Sequence, residues 1–230
     1  MADVDLIPSD PLAWRPQVAR PSRRSRPVTD PVIEPHWLGD RVLVHFDADA
    51  AGPDGAGRCR FVDEHGDDVT DRDPDLAAAV RDAIRATEVV LDGYLTDQAT
   101  RAGTSVSVLP VARRTGNILV GHRMDPDIAA PLDDGDARPT AFVAVDLLRV
   151  DGQVLFDVPL LERKRILDSL IEEAELVRIS PYTKPPVDPW MRTWRAAGFD
   201  GLVLKAANSR YRPGRETDDW TISLATPGRR

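Results

Sequence analysis

The alternation of apolar and polar positions divides the chain into short extended runs and a few helices. Val42, Leu43, Val44 and Phe46 form a β-branched and aromatic run around His45. Arg60, Phe61 and Val62 follow after a Gly-rich turn at 52–57, and the two runs read as a hairpin. After a second turn at His65 and Gly66, Asp73 and Pro74 open a helix whose apolar positions 76, 79, 80, 83 and 84 make one face. Residues 88–96 read as a strand entering a core, residues 105–109 and 117–120 as further short strands, and 125–139 as an acidic surface loop. Residues 141–150 are mostly apolar, and Asp151-Gly152 turns them into a partner strand at 154–156. Pro159 starts a helix expected to reach about Ala174, with Leu160, Ile166, Leu167, Leu170 and Ile171 inward and the charges outward. Strands at 176–180, 199–205 and 220–224 complete the pattern, with a short helix capped by Asp188 ending at Gly198.

Composition refines this picture. At 230 residues, 42% hydrophobic and 30% charged, the chain is globular and long enough to bury a core, while 20 prolines favour turns over long helices. Residues 1–30 carry Pro8, Pro11, Pro16, Pro21 and Pro27, together with Arg15, Arg20, Arg23, Arg24 and Arg26. They read as an arm anchored by Leu12 and Trp14, either solvated and partly disordered or phosphate-binding. Residues 31–230 then form one domain, with no boundary marked inside it.

The net charge of −8 excludes the whole surface as a nucleic-acid footprint. The chain has no apolar run of about 18 residues and no signal-peptide pattern, so no membrane role is expected. A lone cysteine, Cys59, fits a reducing compartment and a small buried site, and the expected location is cytoplasmic. His45, His65 and His122 lack metal-ligand spacing, so no metal site is expected. Trp190 and Trp194, four apart on a helix, read as core.

The stretch Ile33-Glu34-Pro35-His36-Trp37-Leu38-Gly39-Asp40-Arg41 organises the rest. Further on stand the strand and turn from Phe142 to Gly152 with Asp157-Val158-Pro159-Leu160-Leu161-Glu162-Arg163 behind it. Gly198-Phe199-Asp200-Gly201-Leu202-Val203-Leu204-Lys205 comes next, followed by Ser209-Arg210-Tyr211-Arg212-Pro213-Gly214-Arg215 and Asp219-Trp220. In this order the segments, from about Val32 to Leu224, resemble the adenylation (nucleotidyltransferase) domain of ATP-dependent DNA ligases. The resemblance implies an α+β fold, two antiparallel sheets with flanking helices around a cleft. It also implies ATP and Mg as cofactors, and DNA or a DNA-repair protein as partner.

In such ligases the lysine of Glu-Pro-Lys-x-Asp-Gly-x-Arg attacks the α-phosphorus of ATP and forms a lysyl-AMP adduct. Here His36 stands at the lysine position and Leu38 at the aspartate. The turn equivalent to Ser-Arg-Asn-Gly reads Asp63-Glu64-His65-Gly66, Tyr94 replaces a metal-associated glutamate, and Val145 replaces an aromatic residue. Ile222 and Leu224 replace two lysines. The resemblance keeps Glu34, Arg41, Asp92, Asp200 (for Glu) and Lys205 at nucleotide-binding positions, with His36 and Lys205 at the catalytic ones. Arg23, Arg24, Arg212 and Arg215 are candidate nucleic-acid contacts, and Arg210, Arg212 and Arg215 face phosphate or form a solvated loop. Lys205 and Arg41 either contact ATP or pair with Asp92 and Asp200. The chain ends soon after Leu224, so no oligonucleotide-binding domain is expected. The expected function is that of an inactive ligase-like protein binding nucleotide, nucleic acid or a protein partner; the alternative is an ATP-dependent nucleotidyltransferase or DNA ligase with residual or altered activity through His36.

Overall fold

In the computed structural model of the chain, the structure describes residues 7–22, 27–52, 55–100, 139–186 and 198–224, with 188, 192, 194 and 195 besides. In chain order the elements are β1 (Val18–Pro21), β2 (Pro31–Pro35), β3 (Asp40–Asp47), β4 (Arg58–Asp63), α1 (Pro74–Ala83), β5 (Glu88–Thr96), β6 (Ala141–Val150), β7 (Gln153–Val154), α2 (Leu160–Leu170), β8 (Val177–Ile179), β9 (Gly201–Ala206) and β10 (Glu216–Leu224). The smaller sheet has the order β1-β10-β9-β2, the larger β4-β3-β5-β6-β7, with β8 beside β6.

The α+β architecture agrees with the expectation, but the sheets are mixed rather than purely antiparallel. β1 lies parallel to β10 and β8 parallel to β6. The second pairing has a topological reason: between β6 and β8 the chain crosses over through α2, the kind of connection a parallel neighbour requires.

β6 is buried over its first eight residues because both of its faces are covered. Phe142, Ala144 and Leu147 pack with Leu76 and Val80 of α1 and Leu167 of α2. Ala141, Val143 and Val145 pack instead with Ile33, Trp37, Phe199 and Leu202. A third cluster joins Leu43, Val90 and Leu148 to Trp14, Phe156, Tyr211 and Trp220. The register of β5 against β6 shifts between Asp92 and Gly93, which pair with Asp146 and Ala144 and leave Val145 as the extra residue. Such a bulge re-aims a side chain, and Val145 lines the cleft between the sheets.

Several expectations need correcting. The strand after Asp151-Gly152 stops at Val154, because Leu155 and Phe156 turn into the core, each 5% exposed. α2 ends at Leu170, not near Ala174: Ile171 is extended and bridges to Ile84. Its charges do not all face outward, since Arg163 and Lys164 are buried. In the N-terminal segment Trp14 is buried, edge-on to Phe156, whereas Leu12 stays exposed. Cys59 is partly buried, and burial pushes its thiol up to about 12. Arg23, Arg24, Arg26, His122, Trp190, the strands expected at 105–109 and 117–120 and nearly all of the 125–139 loop lie outside the described residues. Of the helix expected before Gly198, positions 188, 192, 194 and 195 are described and helical, and Trp194 is core.

Candidate active-site cleft

A cavity of about 670 Å³ opens between the two sheets. β2 delivers Glu34 to its floor and then leaves the sheet, and the His36 amide donates to the Gly201 carbonyl at 3.0 Å. The turn back into β3 needs Gly39, whose φ is +130° and where an added Cβ would lie 2.1 Å from the Leu95 carbonyl oxygen. Trp37 is buried beneath the turn, its indole N–H donating to Ser180 Oγ at 2.9 Å. The His36 ring therefore faces the cleft, with Nδ1 2.8 Å from Asp200 Oδ1. Leu38 is 45% exposed.

Glu34 and Lys205 meet because β2 and β9 pair Val32 with Lys205 and Glu34 with Val203, which makes Glu34 and Lys205 diagonal neighbours on one face. Lys205 Nζ lies 3.1 Å from Glu34 Oε2, and Lys164 Nζ, from α2, lies 2.8 Å from Oε1. Burial by itself would raise the Glu34 carboxyl, but the two ammonium groups outweigh it and hold it below its ordinary value. Burial lowers Lys205 to about 8 despite Glu34. Its ammonium also sits 4.2 Å from the Trp220 ring centroid.

The same diagonal logic joins Arg41 to Asp92, through Arg41 opposite Tyr94 and Leu43 opposite Asp92 on β3 and β5. The guanidinium forks onto both carboxylate oxygens at 2.5 and 2.7 Å, and its third nitrogen reaches Tyr94 OH at 2.5 Å. Tyr211 OH donates to Asp92 Oδ2 at 2.7 Å and accepts from the Gln17 amide at 2.8 Å. Burial, then Asp92, pushes the Tyr211 phenol well above its ordinary value. Behind this network Arg163 forks onto Asp146 at 2.8 and 2.7 Å, both side chains fully buried. The guanidinium outweighs burial and holds Asp146 below the usual carboxylate range.

Of the expected site residues, Glu34, His36, Arg41 and Lys205 line the cleft, while Asp92 and Asp200 stand behind Arg41 and His36. The pairing of Arg41 with Asp92 agrees with one of the two expected roles. Lys205 does not pair with Asp200: its partner is Glu34, two residues along the neighbouring strand, and Asp200 holds His36. Tyr94, Val145, Glu64, His65 and Ile222 line the cleft, whereas Arg212 and Arg215 are exposed outside its lining. Arg210 is held by Asp157 at 2.6 Å.

Lys164, Tyr211 and Gln17 complete the site without having been expected there. A signal for Lys164 was available: positions 160, 163, 164 and 167 form one helical stripe between two buried leucines. Among the described residues no three His, Cys, Asp or Glu side chains cluster as metal ligands, and no helix is long and apolar enough to cross a membrane. The donor set fits a divalent cation poorly: both oxygens of Asp92 are taken by Arg41 and those of Glu34 face two lysines, although Glu34 Oε1 accepts no hydrogen bond.

A two-sheet α+β domain that closes a nucleotide-sized cleft over a Glu34-to-Arg41 turn is a nucleotidyltransferase-type domain. Residues 24–221 match the family model described as ATP dependent DNA ligase domain, and the chain belongs to that family. A probable DNA ligase of Koribacter versatilis is 27% identical over 82% of this chain and 34% of its own length. A probable DNA ligase of Streptomyces avermitilis is 31% identical over 82% of this chain and 34% of its own. The chain spans about a third of the length of the curated relatives it matches. Among solved structures, a mycobacterial DNA ligase D complexed with ATP and MES shares the fold, with a TM-score of 0.61 and 23% identity over 94% of this chain and 61% of that one.

Proposed function

We propose that this chain is a non-catalytic member of the DNA ligase family, a binding protein built on an adenylation domain. The reading rests on the resemblance, which puts His36 where the family has its nucleophilic lysine, and the observation that supports it is that Asp200 holds the His36 Nδ1 at 2.8 Å. Adenylyl transfer by a lysine needs a free amine within reach of the α-phosphorus. Lys205, which lines the cleft, and Lys164 behind it are both committed to Glu34. Transition-state charge would also find little help, since Arg41 is committed to Asp92 and Ile222 replaces a lysine at the wall.

The partners in this reading are a nucleotide, DNA or a DNA-repair protein, met in the cytoplasm. Arg212 and Arg215, outside the cleft lining, are candidate phosphate contacts, and the sequence adds Arg23 and Arg24. ATP binding, if retained from the family, is weakened.

One observation favours a second reading. A carboxylate on Nδ1 leaves Nε2 of His36 as the ring nitrogen able to act, the arrangement that orients an imidazole for attack or proton transfer. Incubation with labelled ATP and magnesium, followed by denaturing electrophoresis, separates the two. The non-catalytic reading expects no label on the protein; label that is retained by the wild type and lost in His36→Ala would overturn it.

A further inference from the structure

We propose that residues 14–17 form a strap that sets the width of the cleft by tying the larger sheet to the smaller one at a single spacing. The inference goes beyond the non-catalytic reading and does not depend on it.

The strap is fixed first to the larger sheet. Trp14 is 2% exposed and packs with Leu43 of β3, Val90 of β5 and Leu148 of β6. Its ring meets Phe156 edge-on at 4.6 Å, and its indole N–H donates to the Pro8 carbonyl at 2.7 Å. The next residue, Arg15, lies over the turn that follows β4: a Cβ added at Gly66 would come 1.8 Å from Arg15 Nη2. That turn leaves no room for a side chain while the guanidinium stays in place.

The same few residues are then fixed to the smaller sheet. The Gly214 amide donates to the Arg15 carbonyl at 2.8 Å, and the Val18 amide to the Arg215 carbonyl at 2.9 Å. Gln17 is 2% exposed with both polar atoms of its side chain engaged. Oε1 accepts from the Arg212 amide at 2.7 Å, and Nε2 donates to Thr217 Oγ1 on β10 at 3.0 Å. Its main-chain amide donates to Tyr211 OH, which passes a hydrogen bond on to Asp92 of β5. Arg15, Pro16 and Gln17 line the cavity between the sheets. A buried amide satisfied on both atoms is destabilising to leave half-paired, so the strap holds one position instead of sliding.

β1, which continues from the strap, is a weaker attachment. It pairs with β10 over four residues, its register shifts between Ala19 and Arg20, and Pro21 has no amide to give the ladder. Arg20 pairs with Glu216 at 3.0 Å and Asp218 at 2.5 Å, but all three side chains are exposed, where ion pairs add little. The spacing is therefore carried by residues 14–17, and β1 only covers the edge of β10.

The test is the distance between nitroxide labels on the two lips, measured by pulsed electron resonance on the full chain in a Cys59→Ala background. Glu64→Cys marks the larger sheet and Asp219→Cys the smaller, both at exposed positions. Glu64→Cys with Asp82→Cys, both on the larger-sheet side, is the control pair. With the strap intact, one narrow lip-to-lip distance is expected. Arg15→Gln combined with Gln17→Ala should lengthen and broaden it and leave the control pair unchanged. In hydrogen exchange the Arg212 amide, deprived of its acceptor, should exchange about tenfold faster. Arg20→Ala should leave both label distances as they are, because it loosens β1 alone.

A lip-to-lip distance that stays narrow and unshifted in the folded double variant would overturn the proposal, as would an equal change in Arg20→Ala or in the control pair. Where the double variant does not fold, Gln17→Ala alone is read against the same outcomes. Failure here leaves the non-catalytic reading standing, and a covalent adduct with ATP would leave the strap standing.

Discussion

The ionic networks behind the cleft and the side chains on its rim treat charge in opposite ways. Behind the cleft, Arg163 with Asp146 and Arg41 with Asp92 are buried one-to-one pairs, and the buried Lys164 and Lys205 share Glu34. On the rim, His36, Leu38, Tyr94 and Ile222 line the cavity, and Asp200, the carboxylate on His36, is half exposed. Energetics explains why the two regions tolerate change so differently. Removing one partner of a buried pair leaves an uncompensated charge in a low-dielectric interior, whereas an exposed pair contributes little to stability. A rim can lose its chemistry while the fold keeps its stability; the buried network cannot lose a member so easily.

The comparison is open to direct attack. Asp146→Ala strands the fully buried Arg163 and should lower unfolding free energy by roughly 3–5 kcal/mol, read by denaturant titration. A loss below about 1 kcal/mol, the exposed-pair range, would show that the buried network does not carry the fold.

Lys205 makes a smaller, signed prediction. Lys205 is held at about 8 when folded, below its ordinary 10.5, so the unfolded chain binds more protons between those values. Stability should therefore rise with pH across that window, by roughly 1–3 kcal/mol. Subtracting the same profile for Lys205→Met isolates this contribution from Tyr211 and Cys59, whose raised values act in the opposite direction at high pH. A flat difference profile would mean that burial does not lower Lys205 in the folded chain.

At the rim, His36→Ala should change stability by no more than about 1 kcal/mol, because Asp200 is half exposed. A loss as large as that of Asp146→Ala would erase the distinction between the two regions.

The legible parts of the fold were those in which one residue pattern has one structural meaning. Asp73 followed by Pro74 is a cap and a first helical turn, and Asp73 does accept from the Leu76 amide. The apolar run 141–150 could be little else than a buried strand. Parallel pairings were illegible because β1 and its partner β10 are far apart in sequence and no turn fixes their direction. β1 itself was hidden by Pro16 and Pro21, which read as an unpaired arm.

The site was legible as a set of positions, since Glu34, His36, Arg41, Asp92, Asp200 and Lys205 do converge. Its partnerships were not. Charges on α2 were assigned to solvent by type, whereas Arg163 and Lys164 follow the helical stripe inward and find carboxylates there. Gln17 and Tyr211 lie 194 residues apart and meet only through the fold.

The most direct test of the central claim is intact-protein mass spectrometry of the full chain after incubation with ATP and magnesium. The non-catalytic account predicts a single species at the unmodified mass. A second species heavier by one adenylyl group, present in the wild type and absent in His36→Ala, would contradict it.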